Sequence, residues 1–204
     1  MAALTNAALL VALGWPGWLF LPFTLWVIAF FRDPARHPPP GKNLVLSPAD
    51  GKLLPIVLAQ PPPELGLGAE PRPKLSIFMS VLNVHVNRIP CDGTVTALAY
   101  RPGKFFNASF DKASAHNERM SVRIRTEDSD SVDAELGVVQ IAGLIARRIE
   151  CGLQEGQKVC RGDRFGIIRF GSRLEIYLPE GARVVARDGQ MVRAGETVLA
   201  EFPS

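Results

Sequence analysis

Few side chains in this sequence are equipped for covalent chemistry, and their surroundings narrow what each can do. Ser172 follows Gly171 inside Arg164–Pro179, RFGIIRFGSRLEIYLP, between the strand-like runs Phe165–Phe170 and Arg173–Leu178. One reading is a two-residue hairpin turn, which Gly-Ser readily forms. The other makes the serine hydroxyl a nucleophile, which requires a nearby base. The imidazole of His85 exchanges protons near neutral pH, although a histidine in a strand can equally be a satisfied core residue. Asp50 precedes Gly51, so its carboxylate either orients and charges an imidazole or caps a tight turn.

Other chemistries find less support. Cys91, Cys151 and Cys160 form no CxxC pair and leave an odd thiol, which opposes both a disulfide framework and a thiolate zinc site. No metal is expected. Small inert thiols imply a reducing compartment. The formal net charge of +3 is spread along the chain, so the basic patch of a nucleic-acid binder is lacking while weak attraction to an anionic bilayer remains.

A lipid surface is also indicated by the amino-terminal residues. Ala2 to Phe31 carry no charge, and Arg32 and Asp33 end the run. Gly14, Pro16, Gly17 and Pro22 divide it into halves, Ala3–Leu13 and Leu19–Phe31, each too short to cross a hydrocarbon core of ~30 Å alone. A kinked single helix and a helical hairpin entering one leaflet both satisfy the pattern, the hairpin being favoured. No Lys or Arg precedes the run, so it lacks the basic region of a secretory signal. Arg32, Arg36 and Lys42 follow it, which places the remainder at the cell membrane on the cytoplasmic side. The expected divisions are an anchor over 1–31, a Pro-rich connector over 32–43 containing a solvated His37, and a catalytic domain over 44–204.

The elements of that domain read as sheet. Short apolar or alternating runs at Lys52–Ala59, Lys74–Ser80, Thr94–Arg101, Ser121–Thr126, Arg164–Arg169, Arg173–Leu178 and Thr197–Phe202 are bounded by Gly, Pro, Asp or Asn. Val138–Arg148 alone offers a short helix. Two echoes add detail: GQxVxxG[DE] occurs at 156–163 and again at 189–196, and Pro48-Ala49-Asp50-Gly51 returns as Pro90-Cys91-Asp92-Gly93. Such turn-forming repeats predict a mainly β (α+β) fold, a pseudo-symmetric sandwich or barrel with matching corners.

The string around Gly171-Ser172 resembles the processing site of phosphatidylserine decarboxylases, in particular their short membrane-associated form. Ser47-Pro48-Ala49-Asp50-Gly51 resembles the Asp-Gly motif of that family, and Phe78–Pro90, FMSVLNVHVNRIP, resembles its histidine segment. Asn117-Glu118-Arg119 matches the Asn-Glu-Arg element, and Gln140-Ile141-Ala142-Gly143 with Arg147 and Arg148 is similar to the stretch that follows. These blocks stand in family order across most of residues 44–200.

The resemblance implies that Ser172 Oγ attacks the Gly171 carbonyl and turns the amide into an ester. Elimination and hydrolysis then release ammonia and leave a pyruvoyl group at residue 172, in place of pyridoxal phosphate or a metal. Fragments 1–171 and 172–204 stay associated. The ketone forms a Schiff base with phosphatidylserine, which loses CO2 to give phosphatidylethanolamine. Asp50 and His85 are implied as the charge and base partners of Ser172, with Asn117, Glu118 and Arg119 at the substrate. Longer family members carry a second histidine three residues after the first, where this chain has Arg88. Either His85 serves both cleavage and decarboxylation or another group, such as His116, takes over cleavage. A homo-oligomer is compatible with the sequence, and nucleic acid is not an expected partner.

The rival reading is a membrane-tethered carrier or adaptor of the biotinyl or lipoyl type. It needs a modifiable lysine at a hairpin tip, and the tip here reads Asp188-Gly189-Gln190-Met191.

Overall fold

The computed structural model describes residues 2–103, 117–127, 134–143, 148–169 and 171–202. They form two compact units, Met1–Pro34 and Ala35–Ser204. The boundary therefore falls inside the expected connector.

In the first unit, helix α1 spans Ala2–Leu13 and helix α2 spans Leu21–Phe30, joined by a 3-10 helix at Trp15–Phe20. Gly14 ends α1 by turning to φ +64°, a conformation that costs glycine little. At 12 and 10 residues, the helices extend ~18 and ~15 Å, well short of ~30 Å. Among the described residues no helix is long and apolar enough to cross a membrane. Val11, Trp18, Leu19, Phe23, Leu25 and Ile28 are exposed.

The second unit is mainly β. Its strands are β1 (Leu44–Leu46), β2 (Gly51–Leu53), β3 (Val57–Ala59), β4 (Arg72–Met79), β5 (Val86–Arg88), β6 (Gly93–Arg101), β7 (Arg119–Thr126), β8 (Glu135–Ile141), β9 (Ile149–Cys151), β10 (Lys158–Val159), β11 (Arg164–Ile168), β12 (Ser172–Tyr177), β13 (Arg183–Val184), β14 (Met191–Val192) and β15 (Val198–Glu201). Nine of them make a curled half-barrel sheet in the order β10-β6-β7-β8-β12-β4-β2-β14, with β3 also on β4. Two three-stranded sheets, β1-β15-β13 and β5-β11-β9, accompany it. The expected pseudo-symmetric sandwich or barrel takes the form of a curled half-barrel sheet whose apolar core includes Val45, Leu199 and Phe165 of the two small sheets. One expected helix is a strand, because Leu136–Ile141 is buried on both faces as β8, between β7 and β12. Residues 144–147 of that expected helix lie outside the described residues.

The repeated motifs occupy matching places. Val159 of the first GQxVxxG[DE] copy pairs with Gly93, and Val192 of the second with Gly51. Leu46 N–H donates to Pro90 O while Arg88 N–H donates to Pro48 O, so the two Asp-Gly corners exchange the same bond. Asp92 Oδ1 accepts from Arg161 N–H as Asp50 Oδ1 accepts from Ala194 N–H, both at 2.7 Å. These reciprocal contacts relate the halves by an approximate two-fold between β8 and β12.

Alternation along the strands divides the sheet. Leu75, Ile77 and Met79 of β4, Val122 and Ile124 of β7, Leu136 and Val138 of β8, and Leu174 and Ile176 of β12 join one apolar core. Tyr177 and the odd residues of β8 pack under Leu65 and Leu67 on the opposite face.

The corner glycines give a test. A Cβ on Gly51 would stand 2.2 Å from Phe78 O and one on Gly93 2.2 Å from Arg125 O, both backbone atoms, whereas one on Gly189 meets only Lys52 Cε at 3.8 Å. Gly51→Ala and Gly93→Ala are each expected to lose ~3 kcal/mol or more of stability through forced backbone shifts. Gly189→Ala, strained only by its positive φ, should lose ~1–2 kcal/mol. Urea denaturation followed by circular dichroism checks the order.

Candidate active site

The Gly171–Ser172 peptide is not a hairpin turn. Strand β11 pairs with β5 and β9, while β12 pairs with β4 and β8, so the chain passes from one sheet to another here. Gly171 makes the passage at φ +68°, left-handed backbone that residues with a Cβ seldom adopt. Ser172 then enters β12 opposite Met79 and is fully buried. Its Oγ donates to Met79 Sδ at 3.3 Å. A thioether is a weak acceptor, so the hydroxyl is held lightly.

His85 reaches the backbone N–H of Gly171 from the segment before β5. The turn that carries it is fastened by Ser80 N–H to Asn83 Oδ1 at 2.8 Å and Asn83 N–H to Ser80 O at 2.9 Å. Asn83 O lies 3.0 Å from His85 Nδ1 and so selects the Nδ1–H tautomer. Nε2 then carries the lone pair and accepts from Gly171 N–H at 3.3 Å. A proton acceptor thus stands at the N–H of Gly171, the residue whose own carbonyl is bonded to Ser172.

Asp50 lies elsewhere. Its Oδ2 is 2.7 Å from Arg36 Nη2 and its Oδ1 accepts from Ala194 N–H at 2.7 Å. The carboxylate expected to orient His85 is committed to the connector and to the second repeat corner. Arg36 also approaches Glu196 Oε2 at 3.4 Å. Burial pushes Glu196 up, but His37 N–H and the Arg36 and Arg193 charges bring it below the usual carboxylate range. Arg88 donates to Gly162 O at 2.8 Å. His116 lies outside the described residues.

Residues 23–200 match the phosphatidylserine decarboxylase family. The chain belongs to that family. It is 52% identical to the phosphatidylserine decarboxylase proenzyme of Cereibacter sphaeroides over all of its own length and 87% of that protein's. Identity to the proenzyme of Granulibacter bethesdensis is 57%, covering 92% of this chain and 75% of the relative, and to that of Paramagnetospirillum magneticum 54%, covering 94% and 77%.

The phosphatidylserine decarboxylase motifs do not all converge on Ser172. Asn117 Nδ2 donates to Ala142 O at 2.8 Å and Ala142 N–H donates to Glu118 O, so this pair fixes the end of β8. The Glu118 side chain hydrogen-bonds Tyr100, whose phenol is raised by burial and by that charge. Arg119 shares the sheet face opposite Ser172 and pairs with Glu64 Oε1 at 2.5 Å. On that face Glu175 gathers Arg173 Nε at 2.9 Å, Tyr177 OH at 2.9 Å and Lys74 Nζ at 3.6 Å. Burial and the neighbouring Glu175 push the Tyr177 phenol well up. Two residues near Ser172 carry no sequence signal beyond the family blocks: Asn87 and Gln140, whose side chains bond each other at 2.8 Å.

Glu64 provides a pH test of the Arg119 pair. Burial raises it, but the Arg119 hydrogen bond, its own backbone N–H and the Arg119 and Arg101 charges outweigh this and leave it below 4.5. A depressed folded value contributes stability above the unfolded one and loses it as pH falls through the folded one. Wild type should therefore melt above Glu64→Gln at pH 7, and the gap should narrow as pH falls below 4.5 and the folded carboxylate takes up its proton. Thermal melts across pH 3–7 measure it.

Proposed function

We propose that the chain breaks its own Gly171–Ser172 bond and then decarboxylates phosphatidylserine to phosphatidylethanolamine and CO2. The observation that carries this reading is His85 Nε2 at 3.3 Å from the amide of a left-handed Gly171 that precedes a buried serine. His85 Nε2 takes the Ser172 hydroxyl proton as Oγ bonds to the Gly171 carbonyl carbon. The same nitrogen returns a proton to the amine of residue 172 as the C–N bond breaks. Loss of the Ser172 Cα proton then expels Gly171 as a carboxylate, and water releases ammonia from residue 172.

The surroundings of Ser172 suit the small uncharged ketone that results, since the hydroxyl already sits in a buried site against a thioether. The pyruvoyl group at residue 172 supplies the electron sink for loss of CO2. His85 remains within reach to hand a proton to the decarboxylated carbon. Asp50, clamped by Arg36, acts through the backbone by holding Gly51 and β2 against β4. Asn117 and Glu118 shape the end of β8 beside the site, and Arg119 acts from the far face.

Association of fragments 1–171 and 172–204 is supported by β12, whose residues pair with six of β4 and five of β8. The first unit, with its exposed aromatic and aliphatic side chains, lies in one leaflet as a helical hairpin at the cell membrane, with the β unit on the cytoplasmic side.

Denaturing electrophoresis with mass spectrometry should show one fragment ending at Gly171 and one beginning at residue 172, the latter blocked to Edman sequencing. Ser172→Ala should fold, stay uncleaved and lack activity. An active preparation consisting of intact chain would refute the reading.

His85→Ala should slow cleavage and, in whatever cleaved protein forms, lower kcat by ~10²–10⁴-fold. His116→Ala should leave both rates near wild type. Timed cleavage and single-turnover decarboxylation measure the two separately.

A further inference from the structure

Two amide side chains, one from the sheet that carries Ser172 and one from the β5-β11-β9 sheet, meet in the apolar packing beside Ser172. Asn87 and Gln140 are both fully buried. Gln140 stands on β8 opposite Leu174, two residues from Ser172 on the same face of β12. Asn87 comes from β5, opposite Gly166. Gln140 Nε2 donates to Asn87 Oδ1 at 2.8 Å, and a Cβ on Gly166 would stand 2.9 Å from that nitrogen.

This bond uses only half of each amide. Among the described residues Gln140 Oε1 has no hydrogen-bond partner. Asn87 Nδ2 has a weak one, Met79 Sδ at 3.9 Å, the same sulfur that accepts the Ser172 hydroxyl at 3.3 Å. A buried acceptor left unsatisfied bears its full desolvation cost, and two apolar side chains would join the sheets without it. One free acceptor and one underused donor therefore lie beside position 172. Turning both amides over preserves the complement, because each turn exchanges the donor for the acceptor.

We propose that Asn87 and Gln140 recognise the α-amino acid end of the lipid headgroup, an assignment that rests on the phosphatidylserine decarboxylation reading. Gln140 Oε1 accepts from the substrate amine, and Asn87 Nδ2 donates to the carboxylate on the same carbon. A headgroup that reaches residue 172 meets this pair, since Asn87 Nδ2 and Ser172 Oγ share the sulfur of Met79 and Gln140 bonds Asn87 across the two sheets. A neutral donor also suits a carboxylate that must leave as CO2. An arginine there would stabilise the charged ground state and oppose its loss.

The test uses full-length, self-cleaved protein in mixed micelles. It compares KM for phosphatidylserine with competitive inhibition by two lipids, one with a 3-hydroxypropionate headgroup, which lacks the amine, and phosphatidylethanolamine, which lacks the carboxylate. Gln140→Met should raise KM about tenfold, the loss of about one hydrogen bond, and leave inhibition by the 3-hydroxypropionate lipid unchanged. Asn87→Asp keeps the bond from Gln140 Nε2 and removes the donor. It should weaken both carboxylate-bearing lipids about tenfold or more and spare phosphatidylethanolamine. Equal weakening of all three lipids, or of none, would reduce the pair to a tether between sheets and overturn the assignment. Either variant remaining uncleaved would overturn it too, by placing the pair in self-processing. Should Gln140→Met fail to fold, Asn87→Asp decides alone. A wild-type protein that cleaves itself yet leaves phosphatidylserine intact would instead remove the functional reading beneath.

Discussion

Strand β12 is hydrogen-bonded along both edges, while β11, just before it in sequence, belongs to another sheet. The backbone between them must change sheets within a few residues, and the rest of the site depends on that constraint. A pinned strand on one side and a left-handed glycine on the other concentrate conformational freedom at a single peptide. Ser172 cannot retreat without unzipping the middle of the sheet, whereas Gly171 tolerates geometry that a Cβ would forbid. The ladders of β12 to β4 and β8 do not depend on the Gly171–Ser172 peptide bond.

The polar face of β12 fixes its register. Arg173, Glu175 and Tyr177 are buried opposite Leu174 and Ile176, and Glu175 binds Arg173, Lys74 and Tyr177. A slip of one residue would turn Ser172 away from His85 and drive the Arg173 and Glu175 charges into the apolar core. Buried ion pairs add little net stability but penalise wrong arrangements heavily. Here the penalty falls on any register that misplaces the serine. The approximate two-fold helps from further out, because its matched Asp-Gly corners fasten β2 and β6, the strands flanking β4 and β7.

Much of this was legible in the chain, for reasons that also explain what was not. The repeated corners could be read because Gly156, Gly162, Gly189 and Gly195 take positive φ beside Gln, Asp or Glu, while Gly51 and Gly93 leave no room for a Cβ, and both copies occupy equivalent positions. The strands could be read from period-two alternation and bounding turn residues, except β8. Its continuous apolar run lacks that period, as a strand buried on both faces does. The Gly171-Ser172 dipeptide looked like a hairpin turn because local composition does not reveal whether flanking strands share a sheet. Pairings between distant side chains were invisible for the same reason. Arg36 on Asp50 and Gln140 on Asn87 join residues 14 and 53 positions apart, and no periodicity encodes them.

The commitment of Asp50 to Arg36 changes what the histidine has to work with. In a carboxylate-imidazole pair the acid fixes the tautomer and also stabilises the imidazolium that forms. Here the Asn83 carbonyl fixes the tautomer from a turn two residues away without adding charge. Arg88 Nη1 donates to Gly162 O on the repeat corner. His85 meets the Asn83 carbonyl through one ring nitrogen and the Gly171 N–H through the other.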